Sequence, residues 1–177
     1  IPLKRKEPVQ IAGGLEANFV LPVTQVIRGG EKPNNNISIN IVKTNGTKLI
    51  LTEPFGQAGF PLDARWFDKP QITLGGKFKD TPNNLQLFMS FDPERFRHAN
   101  QINLDHFNGM AWVGLFSEET KQMTICGMLV GKINIDKMDI NNQPHFQGTI
   151  DAKLRLWRMP SILRTYPLGK HGDKTSA

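Results

Sequence analysis

The fold is decided by residues 37–52, which read ISINIVKTNGTKLILT. Ile37, Ile39 and Ile41 alternate with polar or smaller residues, and this two-residue alternation is typical of a strand with one buried face. The pair Asn45-Gly46 follows, which is the dipeptide that a tight type I′ turn requires, and a second apolar run then returns. The stretch therefore predicts a β-hairpin whose turn residues have positive φ.

A two-residue loop would fix the register of this hairpin. It would place Ile41 opposite Ile50 and Lys43 opposite Lys48. Two ammonium groups that face each other across a strand pair repel. Either both point into solvent at the tip of the hairpin, where such a pair costs little, or an anion lies between them. The residues leave both interpretations open.

Similar alternation predicts strands along most of the chain, and turn residues separate them. A helix is predicted only at Asp92-Pro93-Glu94, where an N-cap carboxylate precedes a proline and an acid, and this helix would extend towards Phe107. Proline and glycine between Glu53 and Pro61 favour a loop, and so does the Asn-rich segment Asp136–Pro144. Seven or eight strands with at most one short helix predict an all-β domain, either a jelly-roll-like β-sandwich or a partly closed barrel.

The two ends of the chain differ in composition from its middle. Residues 1–18 and 159–177 carry prolines, glycines and several cations, and they lack the periodicity of core elements. Such segments are typical of extended arms. We therefore expect a β domain over residues 19–158, preceded by an extended N-terminal arm and followed by an extended C-terminal tail.

Composition limits the function classes. The chain has 177 residues and a formal net charge of +6, which favours an acidic partner, an anionic surface or nucleic acid through long-range attraction. The single cysteine, Cys126, excludes an internal disulfide and a cysteine-based zinc site, and its apolar neighbours predict a buried, inert thiol. No apolar stretch approaches the length of a membrane-spanning helix.

The sequence contains no recognisable catalytic motif. It has neither the glycine-flanked serine of a nucleophile elbow nor a glycine-rich phosphate loop. His98, Asp105 and His106 could lie near one another, but their spacing matches no metal-binding motif. We therefore expect a protein that is not an enzyme and that has no metal ion and no cofactor.

The strongest functional pattern combines cations with aromatic residues, the mixture with which proteins bind single-stranded nucleic acid. On the last strand, Trp157 shares the predicted outer side with two cations. An alternative interpretation is that the aromatic residues anchor the core or an interface, while the cations form a solubilising surface. The candidate nucleic-acid-binding residues are Lys77, Lys79, Lys153, Arg155, Trp157 and Arg158.

Three functions remain open on this basis. A basic β domain with two arms and no catalytic constellation favours a non-enzymatic structural subunit that assembles with other subunits, in a homo- or hetero-oligomer of virion, phage or secretion type. This hypothesis is an analogy of architecture, which does not fix function. The alternative is a β-barrel module that binds single-stranded nucleic acid. A third, weaker hypothesis is an enzyme or a carbohydrate-binding domain whose site is assembled from loops.

Overall fold

The computed structural model describes residues 10–24, 36–59, 69–105, 107–140, 143–158, 160 and 162. These residues form ten β-strands and one short helix. In chain order the elements are β1 (Gln10–Thr24), β2 (Ile37–Val42), β3 (Lys48–Ile50), β4 (Thr52–Gly59), β5 (Gln71–Lys77), β6 (Asn83–Phe91), α1 (Pro93–His98), β7 (Gln101–Leu104), β8 (Gly109–Ser117), β9 (Gln122–Ile140) and β10 (Gln143–Leu156).

Seven of the strands form a nearly closed, barrel-like ring. Their order is β10-β9-β8-β6-β5-β4-β1, and β1 pairs in turn with β10. Neighbours are antiparallel except β1 and β4, which meet through two parallel residue pairs. Strands β2 and β3 continue the sheet from β1, and β7 pairs with β9. The all-β prediction is confirmed, although the strands number ten among the described residues rather than seven or eight.

The interior of the ring is filled by alternate side chains of every long strand. In β1, for example, Leu15, Ala17, Phe19 and Leu21 are all at most 2% exposed. This alternation is the signature of strands that bury one face. No polar or charged residue is buried among those that the structure describes. The polar and charged side chains of the described residues therefore lie on the outer face of the ring or at its ends.

The boundary drawn after residue 18 falls inside β1. This strand begins at Gln10, and its residues 14–19 pair with β10 on one side and with β2 on the other. Leu15 and Ala17 extend the alternation of buried apolar residues that includes Phe19. In the sequence, however, the preceding pair Gly13-Gly14 is typical of a loop. Residues 1–9 and 163–177 lie outside the described residues, so the remainder of both predicted arms stays a prediction.

The hairpin at residues 37–52 forms, but its predicted register is wrong by one residue. Ile41 pairs with Leu49 rather than Ile50, and Val42 pairs with Lys48. The backbone N–H of Lys43 donates to the carbonyl of Thr47 over 2.8 Å, so the loop contains three residues instead of two. A shift of one residue exchanges the two faces of β3.

The consequences of this shift are visible in the burial of β3 and in its charges. Leu49 is 6% exposed, whereas Ile50 is 65% exposed. The two lysines predicted to face each other are not opposite, because Lys48 pairs with Val42 and Lys43 lies opposite Thr47. The Nζ atom of Lys48 lies 3.4 Å from Oε1 of Glu16. Three-residue hairpin loops place their last residue in the left-handed region. Here that residue is Gly46, with φ of +90°.

Replacing Gly46 with valine should therefore lower the free energy of unfolding by about 1–2 kcal/mol, the cost of left-handed backbone for an L-residue. Nothing lies within 4 Å of the position that a Cβ would take, so the effect would come from the backbone alone. Gly46→Asn is the control, because asparagine tolerates this conformation. Chemical denaturation of both variants measures the difference. Equal stabilities would show that the loop changes conformation to accept the side chain.

Three other local predictions are wrong, each because pairing outweighs local sequence preference. Helix α1 begins as expected, with the Asp92 carboxylate accepting from the N–H of Arg95 at 3.0 Å. It ends at His98, and the chain then forms β7. The predicted loop at 53–61 holds β4, which pairs with β5. The predicted loop at 136–144 is the closed end of a long hairpin. Strands β9 and β10 pair along its whole length, from Gly127 opposite Leu156 to Ile140 opposite Gln143.

Candidate functional site: an apolar and basic outer surface

An apolar cluster lies on the outer surface of β8, β9 and the end of β10. Its members are Trp112, Met123, Ile125 and Trp157, which are 36%, 36%, 36% and 41% exposed. We call these four residues the apolar face. Trp112 and Trp157 pack edge to face, with ring centroids 6.0 Å apart and an interplanar angle of 74°. Large apolar residues gathered on one surface mark a contact site more often than scattered ones do.

A bulge in β9 creates this surface. Val113 pairs with Gly127, but Gly114 pairs with Ile125, so the register shifts at Cys126. An extra residue in one strand re-aims the side chains that follow it. Cys126 is consequently buried while Ile125 is exposed. Gly114 lies beneath the cluster, since a Cβ there would be 2.7 Å from the Sδ atom of Met123.

The same bulge fixes the end of β10. The carbonyl oxygen of Cys126 accepts hydrogen bonds from the backbone N–H groups of Trp157 at 3.0 Å and Arg158 at 3.4 Å. These bonds hold Trp157 against Trp112, just after the last residue of the strand. The position of Trp157 is thus determined by backbone contacts, which pre-organises its exposed ring for a partner.

Basic side chains continue from the apolar face along the outside of β10. Lys153, Arg155 and Arg158 are all exposed. Arg155 lies directly opposite Met128 on β9, and Met128 lies opposite Trp112 on β8. The outer surface therefore passes from apolar to basic within neighbouring positions of the sheet.

The six residues predicted to bind nucleic acid do not form one surface. Lys153, Arg155, Trp157 and Arg158 lie together at the end of β10. Lys77 and Lys79 lie at the end of β5 and just beyond it, and β5 is separated from β10 by β1 and β4 on the shorter way round the ring. Phe78 between them is 0% exposed and belongs to the core. Its ring is therefore not available for stacking.

Sequence reasoning missed Trp112, Met123 and Ile125 as members of this site. A signal existed in β8, where both alternating sets are apolar: Ala111 and Val113 face the core, while Met110 and Trp112 face outward. A strand that is apolar on both sides is typical of a sheet covered on both faces. The bulge at Cys126 left no comparable signal.

Cys126 itself is buried, as predicted, and burial raises the pKa of its thiol to about 11 from 9.0. An unfolded chain would lose this proton near pH 9, whereas the folded protein would keep it. The free energy of unfolding should therefore fall as pH rises from about 9 to about 11, by at most about 1.4 kcal/mol per pH unit. Denaturant titrations of wild type and Cys126→Ala across this range measure the difference. A constant difference between the two proteins would contradict the shift.

The described residues contain no group of three or more His, Cys, Asp or Glu side chains placed to hold a metal ion. His98 lies 3.5 Å from a carboxylate oxygen of Glu94. The Asp105 carboxylate accepts from the backbone N–H groups of Phe107 and Asn108, and these bonds lower its pKa. His106 lies outside the described residues, so the predicted grouping of the three residues stays unresolved.

Within the described ranges, no helix has the length and apolar character needed to cross a membrane.

No protein-family model matches this chain, and no curated protein and no solved structure is significantly similar to it. Its function is therefore inferred from the geometry alone.

Proposed function

We propose that this protein is a non-enzymatic subunit of a larger assembly and that it contacts a neighbouring subunit through the apolar face. The observation that supports this proposal is the cluster of four exposed apolar side chains on the outer face of the sheet, namely Trp112, Met123, Ile125 and Trp157. Tryptophan is enriched among the residues that contribute most to protein–protein binding. A pair of half-exposed tryptophans held in fixed positions supplies large contact area at low cost in conformational entropy.

The charges beside the apolar face indicate the chemistry of the partner. Arg155 and Arg158 border Trp157, and Lys153 follows along the strand. A partner surface with an apolar centre and acidic side chains on the corresponding rim would complement this arrangement. The net charge of +6 acts in the same direction over longer distances and would speed association with such a surface.

Single-stranded nucleic acid is the second candidate ligand, and a specific observation favours it. Lys153 and Arg155 lie on the outward side of β10 together with Trp157, and exposed Arg158 follows, so phosphate contacts and a stacking ring would be within reach of one nucleic-acid strand. The other residues of the apolar face favour a protein partner over nucleic acid. Met123 and Ile125 offer no plane for a base, and the edge-to-face packing of the two indoles engages part of each ring.

Replacing both tryptophans tests the proposal. Trp112→Ser combined with Trp157→Ser should weaken association by at least tenfold, which corresponds to about 1.4 kcal/mol. The measurement is sedimentation of the purified full chain over a wide concentration range, together with the mass of the native complex that contains the tagged chain. The matched control is Phe107→Ser, since Phe107 is 86% exposed outside the apolar face.

The results of this experiment distinguish the assembly proposal from its alternatives. Loss of the complex in the tryptophan variant, with the control unchanged, supports the proposal. A wild-type chain that stays monomeric and enters no native complex contradicts it. A salt-sensitive oligonucleotide complex that is lost when Lys153, Arg155 and Trp157 are replaced together would make nucleic acid the better account.

A further inference from the structure

A groove crosses the outer surface of β2, β1, β10 and β9, beside the basic end of the site described above. Its volume is about 680 Å³, within the range of pockets that hold small organic ligands. The groove is distinct from the apolar face, because none of Trp112, Met123, Ile125 or Trp157 lines it. Nothing in the proposed assembly requires this depression.

The groove exists because one outward position carries no side chain. Val42, Gly14, Lys153 and Val130 lie in one row across four neighbouring strands. Strands are about 4.8 Å apart, so Val42 and Lys153 are separated by about 10 Å with only Gly14 between them. Val42 and Val130 form the two apolar ends of this row, and Gly14 forms the floor of the groove between Val42 and Lys153.

Three lysines line this space, namely Lys43, Lys132 and Lys153, together with the carboxylates of Glu16 and Asp151. Glu16 is engaged by Lys48 at 3.4 Å. Within the described part of the chain, the side chains of Lys132, Lys153 and Asp151 make no hydrogen bond or ion pair. Asp151 lies opposite Lys132 in the pairing of β9 with β10, so the lining of three lysines and two carboxylates carries a net positive charge, with Lys153 furthest from compensation.

Lys43 lies at the β2 side of the groove, and burial lowers the pKa of its ammonium group. The charges at Lys132 and Lys153 would attract an anion to the groove. The ammonium group is a common phosphate ligand and acts as a compact point charge.

We propose that the groove binds a small hydroxylated organic anion, with a phosphate or carboxylate group at the lysines. The valines at the two ends of the row would contact its carbon skeleton, and Asp151 would accept hydrogen bonds from its hydroxyl groups. A volume of about 680 Å³ exceeds what an inorganic anion fills, so an organic portion is expected. Sugar phosphates and acidic sugars have this chemistry.

Calorimetric titration of the full chain with glucose 6-phosphate, glucuronic acid, inorganic phosphate and glucose tests the proposal. We expect at least one of the two hydroxylated anions to bind at least tenfold more tightly than inorganic phosphate, and glucose not to bind. Lys132→Gln combined with Lys153→Gln should weaken this binding at least tenfold. Gly14→Val should abolish it by filling the floor. A Cβ there would lie 3.2 Å from the carbonyl oxygen of Ala152, a tight contact, so this variant is compared only once thermal unfolding shows that it is folded.

Lys121→Gln is the matched control, since Lys121 is an exposed lysine in the turn between β8 and β9. It removes one positive charge away from the groove and should leave binding unchanged. Thermal unfolding of each variant establishes that it is folded. Absence of binding by both hydroxylated anions, equal binding by glucose, or equal loss in the Lys121→Gln control would overturn the proposal.

Discussion

Replacing Phe96 with alanine is expected to lower the free energy of unfolding by about 3–5 kcal/mol, the usual cost of truncating a buried phenylalanine. Phe96 is 0% exposed, although it belongs to a helix of only six residues. Its ring centroid lies 5.3 Å from that of Phe91 and 5.1 Å from that of Phe146. It therefore attaches α1 to both β6 and β10, and its removal would leave a cavity between them.

Lys137 reinforces this attachment. Its Nζ atom donates to the carbonyl oxygen of Phe96 at 2.6 Å and lies 4.7 Å from the centre of the Phe96 ring. The carbonyl groups in the last turn of a helix have no partner within the helix, so this bond satisfies one of them. Phe96→Ala would remove the ring contact but not the hydrogen bond. The stability loss therefore reports mainly the packing of the aromatic cluster.

Guanidinium titration of Phe96→Ala beside Phe107→Ala measures this effect. Phe107 is 86% exposed, so its replacement should change stability by no more than about 0.5 kcal/mol. A loss below about 1 kcal/mol for Phe96→Ala would show that the cavity collapses or that α1 contributes little to the fold.

The second large effect is expected at Gly131. Replacing it with valine should destabilise the domain by about 3 kcal/mol or more, because overpacking at this site involves backbone rather than mobile side chains. A Cβ at Gly131 would lie 2.5 Å from both the Cα atom of Ala152 and the carbonyl oxygen of Asp151. The strands β9 and β10 would have to separate near the middle of their long pairing.

Gly14→Ala is a matched control for this variant, because it adds a methyl group on another strand next to the same residue. There the nearest atom is the carbonyl oxygen of Ala152 at 3.2 Å, and Gly14 has no positive φ. We expect a change within about 1 kcal/mol, the range of mild core and surface substitutions. Equal denaturation midpoints for Gly131→Val and Gly14→Ala would contradict the close approach of β9 and β10.

Much of the fold class could be predicted from alternation and turn residues. Ile37, Ile39 and Ile41 are buried as their spacing indicated. The register of their hairpin could not be predicted, because Asn45-Gly46 is compatible with loops of two and of three residues. The backbone hydrogen bond from Lys43 to Thr47 shows that the loop has three residues, and this bond depends on which face of β3 packs against the core.

Long-range pairing explains the other errors. The segment from Asp136 to Ile140 contains polar residues that favour turns, yet it continues β9 because β10 pairs with it. Ile102 and Leu104 fall in the segment that was predicted to be helical, but both are buried in β7. A strand of four residues has little intrinsic preference, so its formation depends on the neighbour with which it pairs.

The candidate site was only partly predictable for the same reason. Lys153, Arg155 and Trp157 share a face of one strand, and their spacing of two residues showed this directly. Trp112 joins them from another strand, and its approach depends on a bulge that has no sequence signature. The groove is less predictable still, since Gly14, Lys43 and Lys132 come from three separate strands or their ends.

The most direct test of the central claim is residue-resolved oxidative footprinting of the chain, alone and in its native complex. If the protein assembles through the apolar face, oxidation of Trp112, Trp157 and Met123 will fall sharply in the complex, while exposed Phe107 will react equally in both states. Equal oxidation of the three residues in the free and assembled protein would contradict assembly through this surface.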